Sequence, residues 1–276
     1  YIVSNDFCNN NDWDYISKYC PEDIIIQHIG ESCSKFDMIT LSRRLPVSFI
    51  IESCAKYAWE MNVVLSRNDI TKKQAQKLML CDGNTIIEWD WDIIKPFLDV
   101  DFVVNNIEHL NIDFYNLTSW LPSSNQDLIV KYCHKRWNWS YFTREADVNL
   151  VIQNISILQE HIAVYIETVL DKIFSDDNLT KLIVSNNEFA EAVKSIKRNG
   201  HLISYNLGLK KNYIWSDVLI EYLEKCDILI WNTNGSVTGF AQYPYIEWTP
   251  EFFKKYHAKI SSASDYTYIS ENIKDI

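Results

Sequence analysis

Residues 137–143 read Trp137-Asn138-Trp139-Ser140-Tyr141-Phe142-Thr143. The order is large apolar, Asp or Asn, large apolar, two variable residues, apolar, then Ser or Thr. It recurs as FDMITLS (Phe36 to Ser42), WDWDIIK (Trp89 to Lys95) and IDFYNLT (Ile112 to Thr118), and more weakly as NDWDYIS (Asn11 to Ser17). The third and sixth positions lie three residues apart, which puts them on one face of a helix. The stretch WEMNVVLS (Trp59 to Ser66) fits only with one extra residue, so its register reads as shifted. With the third position as marker, the copies fall at Trp13, Met38, about Met61, Trp91, Phe114 and Trp139. That is a period of about 25 residues with one longer interval, within the range of solenoid repeats.

A second element lies between the markers. Its copies are Pro21-Glu22-Asp23-Ile24-Ile25, Leu45-Pro46-Val47-Ser48-Phe49-Ile50, Leu98-Asp99-Val100-Asp101-Phe102-Val103, and Leu121-Pro122 with Asp127-Leu128-Ile129 after it. Toward the other end it becomes Trp215-Ser216-Asp217 and Trp248-Thr249-Pro250-Glu251. Those last two are helix starts. Ser216 or Thr249 caps orphan N–H groups, Pro250 suits the first helical position, and Asp217 or Glu251 complements the positive helix end. The expected fold is therefore all-α, a solenoid-like array of short helix pairs. Residues 1–156 would hold about six units.

Between residues 157 and 199 longer amphipathic helices are expected. Leu158, Ile162, Tyr165, Ile166, Val169 and Ile173 make one apolar stripe across Ile157 to Phe174. A further helix is expected over Asn187 to Lys197, stopped by Asn199-Gly200. Residues 200–276 read as degenerate repeats. Within them Asn234-Gly235 is a hairpin signal, so a small β-hairpin is expected near 227–240.

The pattern resembles the tandem repeat W-[DN]-W-x-x-L-S-x-N followed by L-P-W-S-x-x-L-I-x-x-Y, found in proteins of Bacteroidetes-type bacteria, their phages and giant DNA viruses. Trp137 to Thr143 and Trp215 to Tyr222 match it best, and coverage is residues 11 to 155 and again 200 to 260. Lys95 departs from it by replacing Ser or Thr. The resemblance implies an architecture. The family carries no catalytic residues that could be transferred to this chain.

Composition agrees with a folded helical protein. Of 276 residues, 47% are hydrophobic and 23% charged, while Gly and Pro number only 6 each, too few for glycine-loop nucleotide binders or β sandwiches. The net charge of −11 repels phosphate backbones unless a local basic patch overrides it. Seven cysteines, Cys8, Cys20, Cys33, Cys54, Cys81, Cys133 and Cys226, include no C-x-x-C pair. In a chain long enough to bury a core without staples, reduced thiols and a cytoplasmic location are expected. No apolar run approaches a membrane span. The sequence opens on Tyr1 rather than Met, which reads as a fragment or a processed product.

Chemistry-bearing groups are dispersed. The acidic pairs Asp12/Asp14, Asp90/Asp92, Asp99/Asp101 and Asp176/Asp177 suggest metal-assisted hydrolysis or acid–base work, yet the first three recur with the repeat. A recurring Asp beside an aromatic is more economically a helix cap or a solvated charge. Six scattered histidines form no H-E-x-x-H, and neighbouring Cys133 and His134 cannot easily face one another as nucleophile and base. No phosphate-cradle or nucleophile-elbow motif is present. Neither a catalytic residue, a cofactor nor a metal is expected. Lys131, Lys135, Arg136 and Arg144, interleaved with Tyr132, Trp137, Trp139 and Tyr141, have the composition of a stacking platform for a single strand. The 10 Trp have a simpler use, supplying apolar area between short neighbouring units. The expected function is a non-catalytic scaffold for protein–protein interaction with a basic partner. The alternatives are a phage- or defence-associated nuclease-like enzyme or its regulatory subunit, and a single-stranded nucleic-acid binder.

Overall fold

A computed structural model describes residues 10–32, 35–81, 89–198, 213, 215–232 and 239–272. The fold is all-α, with no strand among the described residues. The chain divides into two compact units, Tyr1–Leu117 and Thr118–Ile276.

In the N-terminal unit the helices run in short pairs. These are α1 (Asn10–Tyr19) and α2 (Glu22–Ser32), α3 (Met38–Arg44) and α4 (Val47–Ser53), α5 (Met61–Leu65) and α6 (Lys72–Met79), and α7 (Trp91–Ile94) and α8 (Val100–Asn106). Helix α9 (Phe114–Trp120) spans the division. From the second copy onward, each seven-residue pattern starts a helix at its third residue: Met38, Met61, Trp91, Phe114 and Trp139.

The residue before each start explains why. Asp37 accepts from the N–H groups of Ile39 (3.1 Å) and Thr40 (3.3 Å), Asp90 from Asp92 (3.0 Å), Asp113 from Tyr115 (2.9 Å) and Asn138 from Tyr141 (3.0 Å). A side-chain oxygen in that place satisfies donors that the first helical turn leaves orphaned. Asp99, Asp147 and Asp176 cap α8 and the helices Val148–Gln153 and Asp177–Val184 in the same way.

The sixth position is the core. Leu41, Val64, Ile94, Leu117 and Phe142 are all fully buried. The seventh position explains its own chemistry. Ser17 Oγ accepts from the N–H of Asp37 (2.9 Å), and Ser42 Oγ from that of Glu60 (3.0 Å). In the C-terminal unit Thr118 Oγ1 accepts from Asn138 N–H at 2.9 Å. All three hydroxyls are buried, and each is satisfied by the second residue of the following copy.

This bond corrects the register of the Trp59 stretch. Glu60 occupies the second position with no residue inserted, and Leu65 stands where Ser or Thr is usual. Leu65 cannot accept, and Asn62 on the same helix does so instead, from Asp90 N–H at 3.2 Å. Lys95, the other departure, is exposed.

A second link uses the ninth position. Arg44 donates to the carbonyls of Ser17 and Cys20, the latter at 2.9 Å, and Arg67 donates to those of Ser42 (3.1 Å) and Leu45 (2.6 Å). Each guanidinium thus satisfies carbonyls at the C-terminal end of the preceding first helix, where a cation is favourable.

The C-terminal unit contains α10 (Asp127–Lys131), α11 (Trp139–Glu145), α12 (Val148–Gln153), α13 (Ile155–Ile162), α14 (Ile166–Phe174), α15 (Asp177–Val184), α16 (Asn187–Arg198), α17 (Asp217–Lys225), α18 (Pro250–Tyr256) and α19 (Ala263–Asn272). The long amphipathic helix expected from Ile157 to Phe174 is broken by a 3₁₀ turn at Ala163–Tyr165. Its stripe is still buried at Leu158, Ile162, Ile166, Val169 and Ile173.

The break has a reason in the pattern. Val164-Tyr165-Ile166-Glu167-Thr168-Val169-Leu170 is a further degenerate copy, whose helix starts at its third residue. Lys172, at its ninth position, donates to the Ala146 carbonyl at 3.2 Å, as Arg44 and Arg67 do earlier in the chain. No Trp, Asp or Ser marks this copy, so the residue pattern alone hides it.

Helix α16 forms where expected, while its stop signal Asn199-Gly200 lies outside the described residues. Ser216 and Thr249 cap α17 and α18 by accepting from Leu219 N–H (3.3 Å) and Phe252 N–H (3.2 Å). The described flanks of the expected β-hairpin meet, with Phe240 N–H donating to the Ile230 carbonyl at 2.6 Å and Ala241 N–H to that of Trp231 at 3.4 Å, but they form no strand ladder. Residues 227–232 and 239–240 carry no strand, and Asn234-Gly235 lies outside the described residues. Asp227 instead takes a left-handed φ of 57° and ends α17, with Ile228 N–H reaching back to the Leu223 carbonyl at 2.9 Å.

One pair of cysteines departs from the reduced state expected of them. Cys54, at the end of α4, and Cys81, just beyond α6, form a disulfide. Cys20 and Cys133 are free and half-buried, and Cys226 is free and buried. Cys8 and Cys33 lie outside the described residues. No described helix is long and apolar enough to cross a membrane.

Candidate interaction surface

The acidic pairs of the sequence resolve into helix starts rather than a shared centre. Asp37, Asp90, Asp99, Asp113 and Asp176 are each engaged with the first turn of their own helix. The Thr40 hydroxyl, more than the backbone N–H groups, holds the Asp37 carboxyl below the usual carboxylate range. The Phe102 N–H, with Lys72 and Gln76, does the same for Asp99. Both remain charged at neutral pH. Among the described residues no group of three or more His, Cys, Asp and Glu side chains is placed to hold a metal ion.

What the helix starts share is a direction toward solvent. Asp14, Glu60, Asp90, Asp92 and Asp113 are exposed. They are joined on the same first helices by exposed Tyr15, Ile39 and Tyr115. Asp14 and Asp92 lie within their helices, and Glu60, at the N-cap of α5, makes no side-chain capping bond, so none of the three carboxylates is held by a cap. The copies therefore present carboxylates and isolated apolar side chains at recurring positions.

The four cations singled out in the sequence fall on two helices and the link between them. Lys131 ends α10 and lies over the Tyr132 ring at 4.9 Å. Lys135 and Arg136 lie in the link before α11. Arg144, in the last turn of α11, pairs with Glu145 at 3.0 Å and lies over Tyr141 at 5.5 Å.

Their interleaved aromatics divide. Tyr132 and Trp137 are buried, with Trp137 Nε1–H donating to the Tyr132 carbonyl at 2.8 Å. Trp139 is half-buried and stacks on His161, ring centres 4.7 Å apart and planes 16° from parallel. Tyr141 is half-buried. The reach for a base to stack on is thus narrower than the composition suggested, because two of the four rings are core.

Open cavities on the surface of the described residues include three that border helices already named. One of about 400 Å³ lies over the first helices, between Arg43, Val63, Ser66 and Ile93. One of about 390 Å³ is bordered by Lys131, Cys133, Asn154 and Ile157. The third, of about 290 Å³, lies between α4 and α6. Its lining includes Lys73 and Lys77, which neither motif nor composition had marked, because lysine on a short polar helix carries no signal of its own.

Comparison with family models, with curated proteins and with solved structures finds no match for this chain.

Proposed function

We propose that the protein is a non-catalytic repeat scaffold whose copies stack as a solenoid and bind another protein, one rich in Lys and Arg. The observation that carries this reading is the set of exposed carboxylates at the first helices α1, α5, α7 and α9, namely Asp14, Glu60, Asp90, Asp92 and Asp113. An extended basic segment following such a row gains a charge contact at most copies, and a stacked array offers more length for it than a compact domain does. The links from each copy to the one before, through Ser17, Ser42 and Arg67, favour a fixed pitch along the row. The Cys54–Cys81 bond favours maturation in an oxidising setting over the reducing cytoplasm that the cysteine spacing suggested.

The test is titration of the full chain with a labelled Lys/Arg-rich peptide. Binding is expected to weaken with added salt and to fall by about tenfold in the triple variant D14N/E60Q/D92N, which spares every side chain that makes a capping hydrogen bond. Equal affinity in the variant and the parent sinks the reading.

A further inference from the structure

The groove between α4 and α6 has the opposite sign from the acidic row. Lys73 and Lys77 stand one helical turn apart on α6, both exposed, and both border the groove. Neither has a carboxylate within ion-pair reach among the described residues. Their neighbour Lys72 differs, since it is spent on Asp99 at 3.0 Å. The facing helix contributes Ser48, half-buried Ile51 and Glu52. Two ammonium groups against one carboxylate, beside an apolar side chain, make a small cationic notch on a molecule whose net charge is −11.

The walls are held in place from two sides. The disulfide joins the C-terminal ends of α4 and α6, and Thr71 with Gln74 forms a reciprocal cap at the start of α6. A groove whose walls are fixed before binding loses less entropy on taking up a ligand.

We infer that this groove binds an acidic peptide segment of a partner protein. Two carboxylates of that segment meet Lys73 and Lys77, and an apolar side chain between them rests on Ile51. The sign of the groove selects against a basic segment. The −11 charge of the whole chain opposes polyanions such as nucleic acid or an anionic membrane, whose many charges would face the acidic surface as well. A short peptide carries few enough charges to be held by the notch alone. This inference is separate from the basic-partner reading, since the two use different residues and ligands of opposite charge.

The experiment is fluorescence anisotropy of the full, disulfide-intact chain with a labelled peptide of alternating glutamate and leucine. Glutamine–leucine and lysine–leucine peptides serve as controls. The acidic peptide is expected to bind and the controls to bind at least about tenfold more weakly. The charge reversal K73E/K77E is expected to abolish the preference, K73R/K77R to keep it, and K95E, at another exposed lysine, to leave it unchanged. Because both lysines are exposed, the melting temperature of K73E/K77E should match the parent and so separate lost binding from lost folding. Equal binding of the glutamine peptide, or undiminished binding to K73E/K77E, overturns the inference. So does self-association in the ultracentrifuge that K73E/K77E removes, which would make a second copy of the chain the occupant.

Discussion

Trp137 and Trp139 are two residues apart and serve the fold differently. The first is buried and spends its indole N–H on a carbonyl, while the second keeps part of its surface in water and stacks on His161. The first residue of the pattern is buried in Phe36, Trp59, Trp89, Ile112 and Trp137, while the third is buried in Trp13, Met61 and Phe114 but not in every copy. Trp91 and Trp139, at the third position, are only half-buried. Trp137→Ala should therefore destabilise the chain by about 3–5 kcal/mol, whereas Trp139→Ala should cost about 1–2 kcal/mol. Urea denaturation of the two variants checks the ordering, and an equal loss from both contradicts it. At this scale the residue pattern predicted that aromatics fill the core but not which of the pair does so. Both positions carry large apolar side chains, and only packing against the neighbouring copy separates them.

The short helices were readable because their starts are chemical. An Asp, Asn, Ser or Thr in front of an apolar residue leaves little choice about where the chain turns helical, and Asp37, Asp90, Asn138, Ser216 and Thr249 all act in that way. The break at Ala163–Tyr165 was not readable, since the apolar stripe continues across it and no capping residue marks it. The Cys54–Cys81 bond was hidden for a related reason. Its partners are 27 residues apart, about one repeat, and only the packing of α4 beside α6 brings them together. Closing a loop of that length restricts the unfolded chain by about 3–4 kcal/mol. The double variant C54S/C81S should accordingly lose about that much stability while keeping its helical circular dichroism at low temperature. A variant whose denaturation matches the parent argues that the bond contributes nothing to the fold.

Across the whole molecule, the buried phenols are concentrated in one unit. Tyr213, Tyr222, Tyr243 and Tyr256 all lie in Thr118–Ile276, and burial is the leading cause that raises each of them. Tyr243 and Tyr256 are pushed up to about 12, and Tyr213 and Tyr222 further. A phenol whose folded pKa is raised contributes stability that is fully present below the unfolded value of about 10, and that stability is lost as pH rises toward and through the folded value. Near pH 11 the C-terminal unit should therefore open first. Proteolysis at that pH should cut within 118–276 before 1–117, and early cutting throughout 1–117 contradicts this. The links made through the second, seventh and ninth positions of the pattern also share an orientation. Asp37, Arg44, Glu60, Arg67, Asp90, Asn138 and Lys172 donate, and Ser17, Cys20, Ser42, Leu45, Asn62, Thr118 and Ala146 accept, so in these links the donor belongs to the later segment, whereas Gln76 and Lys72 on α6 donate forward to Phe97 and Asp99. During synthesis each new segment thus leaves the ribosome carrying the hydrogens, and the lone pairs that receive them are already outside. The buried hydroxyls of Ser17, Ser42 and Thr118 therefore wait during synthesis for these donors until the following copy has emerged.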